Sequence, residues 1–90
     1  MNATWHVGRD AYQIAERKAR YGHRDWLVWR GMGGELVAAP RTLGSIKSAM
    51  LATGTRGHFT QVCANNTILM RIGWRIAVNL LAWEKIGYDR

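Results

Sequence analysis

The chain has few of the sequence features that mark disulfide-bonded, membrane-spanning or exported proteins. It contains one cysteine, Cys63, among its 90 residues, so no disulfide can form within the chain. Its longest apolar stretch, residues 68–86, is interrupted by Arg71, Arg75, Glu84 and Lys85, and charge at that density argues against a membrane span. The first residues show no basic segment followed by an apolar run, so we expect no signal peptide. These absences predict a cytoplasmic protein without a membrane partner.

Patterns of catalytic and metal-binding residues are also missing. Asp10 is placed to cap a helix, Glu16 is expected to pair with Arg20 four residues later on that helix, and Glu35 is expected to pair with Arg30 across a hairpin. His58 and Cys63 lie five residues apart, so on one strand they would face opposite sides and form no dyad. The three histidines and the cysteine have no short metal-ligand spacing. We therefore expect no enzyme, no catalytic residue, no metal and no cofactor.

Negative charge is scarce. Thirteen Lys and Arg residues stand against six Asp and Glu residues, which gives a formal net charge of +7. Such an excess favours anionic partners, either nucleic acid or an acidic protein surface. Ten of the cations are arginines, whose planar fork grips phosphate at two points and stacks on rings. Because a GC-rich genome also favours arginine, composition alone leaves the partner open.

The same helix signals occur twice at a spacing of 32 residues. Asp10, with Gln13 completing a capping-box pattern, and Thr42 predict two helix starts. Gly22 and Gly54 predict the two ends, which gives helices at about 10–21 and 42–53. The chain is short enough for one domain, residues 1–90, and 48% of it is apolar. The spacing therefore predicts one domain that uses a βαβ unit twice.

Strand formers and turn residues surround these helices. They predict strands at about 4–7, 26–30, 35–39, 58–63 and 68–72, with a hairpin turn at residues 31–34. A third helix is predicted at about 74–86. The alternative is one continuous helix from Thr67 to Ile86 capped by Asn66, because short apolar runs are ambiguous between strand and helix.

The first six elements match a ferredoxin-like βαββαβ layout, followed by an additional C-terminal βα unit. The predicted fold is therefore α+β. In this layout we expect the first and third strands to be parallel neighbours, and both helices to pack on one sheet face and start at the same edge. Arg9 and Arg41 would then lie together beside two helix N-termini, and Arg24 and Arg56 would lie together at the opposite edge.

Paired arginines at helix starts suggest an anion site, because helix N-termini already carry partial positive charge. Strand alternation places Trp26 and Arg30 on one sheet face, where Trp26 could stack on a base unless a helix buries it. An RNA-recognition module would carry aromatics on its third strand as well, and this chain has none there. The candidate binding residues are Arg9, Arg41, Arg24, Arg56, Arg17, Lys18, Arg20 and Trp26.

The third helix is apolar on two stripes. We expect Ile76, Leu80 and Trp83 to face the core, while a second stripe contacts the other sheet face or a second chain. The second stripe consists of Trp74, Ala77, Val78 and Leu81.

Three functions follow from these patterns. The first is a small basic module that binds nucleic acid through its arginines. The second is a protein-binding inhibitor or adaptor, of the kind that mobile elements often encode, which targets a nucleic-acid-processing complex through Trp and Arg anchors. The third is a homo-oligomer formed through the third helix.

Overall fold

The part of the chain that the structure describes forms five strands and three helices. The computed structural model describes residues 4–65 and 68–88. In chain order the elements are β1 (His6–Val7), α1 (Ala11–Gly22), β2 (Trp26–Arg30), β3 (Leu36–Pro40), α2 (Leu43–Thr53), β4 (His58–Val62), β5 (Leu69–Gly73) and α3 (Trp74–Tyr88). The α+β class is therefore confirmed, and each helix lies within two residues of its predicted bounds.

The strand order is β1-β3-β2-β4-β5, and every neighbouring pair is antiparallel. The predicted parallel pairing of β1 with β3 is therefore wrong. A ferredoxin-like sheet would place β4 beside β1, whereas here β4 pairs with β2. The alternative of one helix over 67–86 is also wrong, because β5 pairs with β4 along five residues. Asn66, its proposed cap, lies outside the described residues.

The helices α1 and α2 lie on opposite faces of the sheet, not on one face as expected. Helix α1 connects β1 to β2 across β3, and α2 connects β3 to β4 across β2. Both connections lead towards the β5 edge of the sheet. They start from antiparallel strands, however, because β3 runs in the direction opposite to β1. Because such crossovers are right-handed, the two helices must fall on opposite faces.

Two clusters of buried residues confirm this three-layer arrangement. Leu27 and Trp29 of β2 pack with residues of α2 and α3. Trp26 and Val28 of the same strand pack with residues of α1. The predicted alternation along β2 is thus confirmed, but both faces are covered. A strand covered on both faces is continuously apolar, as the run from Trp26 to Trp29 is.

Alanines form the contact between α1 and the sheet. Ala11, Ala15 and Ala19 are completely buried and recur every four residues, so their methyl groups lie on one stripe of the helix. Opposite them lie the buried side chains of Val28 and Ala38. The short side chains allow the helix to approach the strands closely, which leaves the longer polar side chains of α1 on the outside.

The signals that delimit α2 are confirmed. The hydroxyl of Thr42 accepts a hydrogen bond from the Ser45 N–H at 3.1 Å, and the Ser45 hydroxyl accepts one from the Thr42 N–H at 2.8 Å. This reciprocal pair is a capping box with serine in place of the usual Glu or Gln. At the other end Gly54 has φ of 70° and its N–H donates to the Met50 carbonyl, as a helix stop requires.

The residues predicted to cap the two ends of α1, Asp10 and Gly22, do not cap it in the predicted way. Asp10 precedes the helix but its side chain makes no capping hydrogen bond, and its carboxylate contacts His6 instead. The predicted capping box with Gln13 is therefore wrong. The left-handed residue at the helix end is His23, with φ of 51°, and not Gly22. The chain turns one residue later than the glycine indicates.

Two predicted ion pairs are not formed among the described residues. Arg30 pairs across the hairpin with Leu36, and its guanidinium donates to the Gly34 carbonyl. The carboxylate of Glu35 covers Gly31 so closely that a Cβ there would collide with it. The described ion pairs do not include Glu16 with Arg20 either, so the outer surface of α1 keeps its positive charges.

Candidate nucleic-acid interface

The candidate arginines at the helix ends lie at opposite ends of the sheet. Arg9 follows β1 and Arg56 precedes β4, and since these strands run in opposite directions both residues lie at one end of the sheet. By the same reasoning Arg41, which follows β3, and Arg24, which precedes β2, lie at the other end. The predicted pairs, Arg9 with Arg41 and Arg24 with Arg56, are therefore wrong, because they depended on the ferredoxin-like order.

Arg41 is partly buried and contacts two carboxylates. Its Nη1 lies 3.2 Å from Oδ2 of Asp25, and its Nε lies 3.0 Å from Oε1 of Glu84. Its Nη1 also donates to Oε1 of the buried Gln61 at 3.3 Å. The guanidinium thus joins the start of β2, the middle of β4 and the C-terminal half of α3. Because Nε and Nη1 are engaged by these three side chains, the contacts of Arg41 lie within the fold, which argues against the expectation that it binds an outside anion.

A row of free cations runs along one side of α1. Arg17 and Tyr21 lie four residues apart on neighbouring turns, Lys18 lies beside them, and Arg24 follows just after the helix. All four residues are exposed, and the described hydrogen bonds and ion pairs involve none of their side chains. We call these four residues the α1 flank. Arg20 is also exposed and lies one turn after Arg17, on the side of that residue which carries Glu16.

A groove of about 610 Å³ borders this flank. It opens where β1, only two residues long, leaves the edge of β3 uncovered. Lys18 and Arg24 supply its free positive charges, and none of its lining residues is Asp or Glu. The lining residues are Thr4, Trp5, His6, Ile14, Lys18, Gly22, Arg24, Trp26 and Pro40.

The aromatic residue available beside the groove is Tyr21. Trp26 lines the groove but is only 6% exposed, because α1 packs over it, so the prediction that its ring stacks on a base is wrong. Trp29 is buried on the other face, in edge-to-face contact with Trp5 at a centroid distance of 5.4 Å. Tyr21 is 75% exposed. Its position four residues after Arg17 is the sequence signal that could have identified it.

A contact between a histidine and a carboxylate lies at the start of α1, at the end of this groove. His6 Nε2 and Asp10 Oδ1 lie 2.5 Å apart. The hydrogen bond from His6 is the largest cause that lowers the pKa of Asp10 from its ordinary 3.8. A carboxyl whose pKa is lowered by folding stabilises the fold above its unfolded-state pKa, and this contribution is lost as the pH falls through the lower, folded value.

Replacing His6 by alanine should therefore raise the pKa of Asp10 back towards 3.8, because the hydrogen bond that favours the carboxylate is removed. Carboxyl-carbon NMR titration of the folded protein measures this directly. His58→Ala is the matched control and should leave Asp10 unchanged. An Asp10 titration that is identical in wild type and His6→Ala would show that the contact does not form in solution.

The outer residues of α3 were assigned only partly correctly. Trp74 and Val78 are exposed in the single chain, whereas Leu81 packs against the core. Of the predicted core stripe, Leu80 packs against the core as expected, but Ile76 and Trp83 are 45% and 72% exposed. Among the described residues of α3, Ala77 is completely buried. The helix is rotated so that the small Ala77 faces the sheet and a bulky tryptophan faces solvent.

Wider properties of the described residues add few constraints. Within residues 4–65 and 68–88, no helix combines the length and the apolar character that a membrane crossing requires. The same residues contain no group of three or more His, Cys, Asp or Glu side chains that could hold a metal ion. Comparison with protein-family models, with curated proteins and with solved structures finds no match for this chain.

Proposed function

We propose that this protein is a small non-enzymatic module that binds a nucleic-acid strand along the α1 flank. The observation that carries the proposal is the position of the exposed Tyr21 among the unpaired cations Arg17, Lys18 and Arg24, beside a groove without carboxylates. Cations that track a phosphate backbone and an aromatic ring that stacks on a base are the two elements of single-strand binding.

The distribution of charge supports this proposal. Arg41 contacts the carboxylates of Asp25 and Glu84 at one end of the sheet, and Asp10 contacts His6. Arg24 shares a pocket with Asp25 and Glu84, so the positive potential of the α1 flank comes mainly from Arg17 and Lys18. Exposed Arg9 and Arg56 lie away from this flank and contribute to the general attraction of a polyanion, which steers its approach.

The absence of an enzyme role remains part of the proposal. The acidic residues just named have structural partners, and a carboxylate that is already paired is poorly placed for acid–base catalysis. Cys63 accepts a weak hydrogen bond from Gln61 at 3.7 Å, and no histidine contact is described for it. We therefore assign the protein a binding role and no reaction.

Two variants separate the two parts of the proposed site. In Arg17→Ala/Lys18→Ala, the slope of log K against log salt for a single-stranded oligonucleotide should flatten by about 1.4, since each lost phosphate contact contributes about 0.7. Tyr21→Ala should lower the affinity by about 1 kcal/mol or more and leave that slope unchanged, because stacking releases no counterions. Fluorescence anisotropy at several salt concentrations measures both quantities, with DNA, RNA and duplex probes of equal length.

The matched control is Lys47→Ala/Lys85→Ala. It removes the same charge from exposed positions on α2 and α3, on the other side of the sheet. Its salt slope should stay close to that of the wild type. Equal losses in both double variants would indicate attraction by net charge without a site. If the wild type has no affinity for any probe at low salt, the proposed function is wrong.

A second candidate function, a protein-binding adaptor or inhibitor, is favoured by the outer surface of α3. Trp74, Val78 and Trp83 are exposed there, and tryptophan is among the residues that dominate protein interfaces. This candidate places the binding surface on the opposite side of the molecule from the α1 flank. Trp83→Ala should then weaken partner binding and leave oligonucleotide affinity unchanged.

A further inference from the structure

The strand β5 lies at the edge of the sheet with one row of backbone groups unpaired. The Cys63 N–H donates to the Ile68 carbonyl at 3.0 Å, which fixes how the two strands pair. In an antiparallel ladder the backbone groups alternate between the two sides. Ile68, Met70 and Ile72 therefore direct their N–H and C=O groups to β4. Leu69 and Arg71 direct theirs outward, where the described sheet has no further strand.

The edge has few of the features that normally prevent strand pairing. Ile68, Leu69 and Met70 are apolar and 53%, 50% and 43% exposed, and β5 contains no proline. Only Arg71 places a charge on the strand. Edge strands of this kind are templates for a further strand unless a helix, a charge or a bulge protects them. The opposite edge, β1, is only two residues long and offers much less.

The surface around the end of β5 is positive. His58, Arg71 and Arg75 line a cleft of about 870 Å³ together with Trp74, and none of the lining residues is Asp or Glu. Arg71 Nη2 lies 3.2 Å from His58 Nδ1, a contact that holds the guanidinium over the strand. An occupant with carboxylates would meet complementary charge here. A second copy of this chain would instead bring another Arg71 and a further +7 of net charge.

We propose that β5 takes up an extended, acidic segment of a partner protein as a sixth strand. Its main chain bonds to the outward groups of Leu69 and Arg71. Its apolar side chains lie on one sheet face, where they cover Ile68 and Met70, and the alternating carboxylates lie on the other face, which carries Arg71. Its carboxylates pair with Arg71 and Arg75. Main-chain bonds of this kind give affinity, and side-chain pockets give specificity. The inference does not depend on the nucleic-acid site, which lies at the opposite edge of the sheet. For the adaptor function, it identifies β5 as the surface that binds the partner protein.

A labelled peptide of alternating valine and glutamate tests the proposal by fluorescence anisotropy. The wild type should bind it at least about tenfold more tightly than the valine–lysine counterpart. Methylation of alternate backbone nitrogens should abolish binding, because it removes the main-chain donors. Arg71→Glu should reverse the preference between the two peptides, whereas Lys47→Glu, the same charge change on α2, should preserve it.

Leu69→Pro tests the backbone contact in the protein itself. The Leu69 N–H points outward and is not used by β4, so proline there should keep the fold, which circular dichroism checks, and remove peptide binding. If Leu69→Pro does not fold, the reversed peptide preference of Arg71→Glu tests the proposal instead. Three results would overturn the proposal: no binding of the valine–glutamate peptide, equal binding of its methylated form, or a wild-type dimer that Leu69→Pro dissociates. Loss of oligonucleotide affinity in Arg71→Glu would also overturn it, because the cleft would then serve nucleic acid.

Discussion

Replacing Arg41 by alanine is expected to lower the free energy of unfolding by about 3 kcal/mol. The substitution removes the shared partner of Asp25, Glu84 and Gln61, all of which are buried or partly buried. Two carboxylates would then remain without their cation, and the cost of leaving a partly desolvated charge unpaired exceeds that of losing a neutral hydrogen bond. Urea unfolding followed by circular dichroism measures the change.

Two neighbouring variants make this result specific. Arg41→Lys should recover only part of the loss, because a single ammonium cannot reproduce the fork that contacts three side chains. Arg24→Ala removes an exposed arginine at the same end of the sheet and should change stability by no more than about 0.5 kcal/mol. Equal stability of Arg41→Ala and Arg24→Ala would contradict the assignment of Arg41 as a structural residue.

Replacing Ala15 by leucine is expected to destabilise the fold by about 2 kcal/mol or more. Ala15 is the central residue of the alanine stripe by which α1 contacts β2 and β3, and it is completely buried. Three additional carbon atoms there must displace the helix from the sheet or force strained side-chain rotamers. Thermal and urea unfolding would both show the loss, and oligonucleotide affinity would fall as the α1 flank moves.

The matched control for this variant is Ala82→Leu. Ala82 is exposed on α3, so the same added volume extends into solvent and should cost little. A stable Ala15→Leu protein would mean that α1 does not lie directly on the strands, and the three-layer arrangement would then be wrong. The comparison therefore tests the placement of α1 without needing any ligand.

The local elements of this fold follow from the sequence because their signals are local. Thr42 and Gly54 delimit α2 through hydrogen bonds within one turn of the helix, and the two-sided apolar pattern of β2 follows from strand alternation. The strand order is not local. It depends on whether β4 joins the sheet beside β1 or beside β2, and both placements satisfy the same pattern of helices and strands.

That single choice decides which of the sequence-predicted site residues are accessible in the structure. Arg17 and Lys18 are exposed, as expected, because their exposure depends only on the period of α1. Arg41 was misassigned because its partners Asp25 and Glu84 are remote in the chain and meet it only in the folded protein. Trp26 was misassigned because the face that it occupies is covered by α1, whereas a one-faced helical layer would have left it open.

The most direct test of the proposed function is an NMR titration of the ¹⁵N-labelled protein with a single-stranded oligonucleotide. The proposal predicts that the largest amide shifts occur at Arg17, Lys18, Tyr21 and Arg24, with smaller shifts at His6 on the groove. Amides of β5 should remain unshifted, because that strand lies at the opposite edge of the sheet. Shifts concentrated at Arg71 and Trp74, or no shifts at low salt, would contradict the proposal.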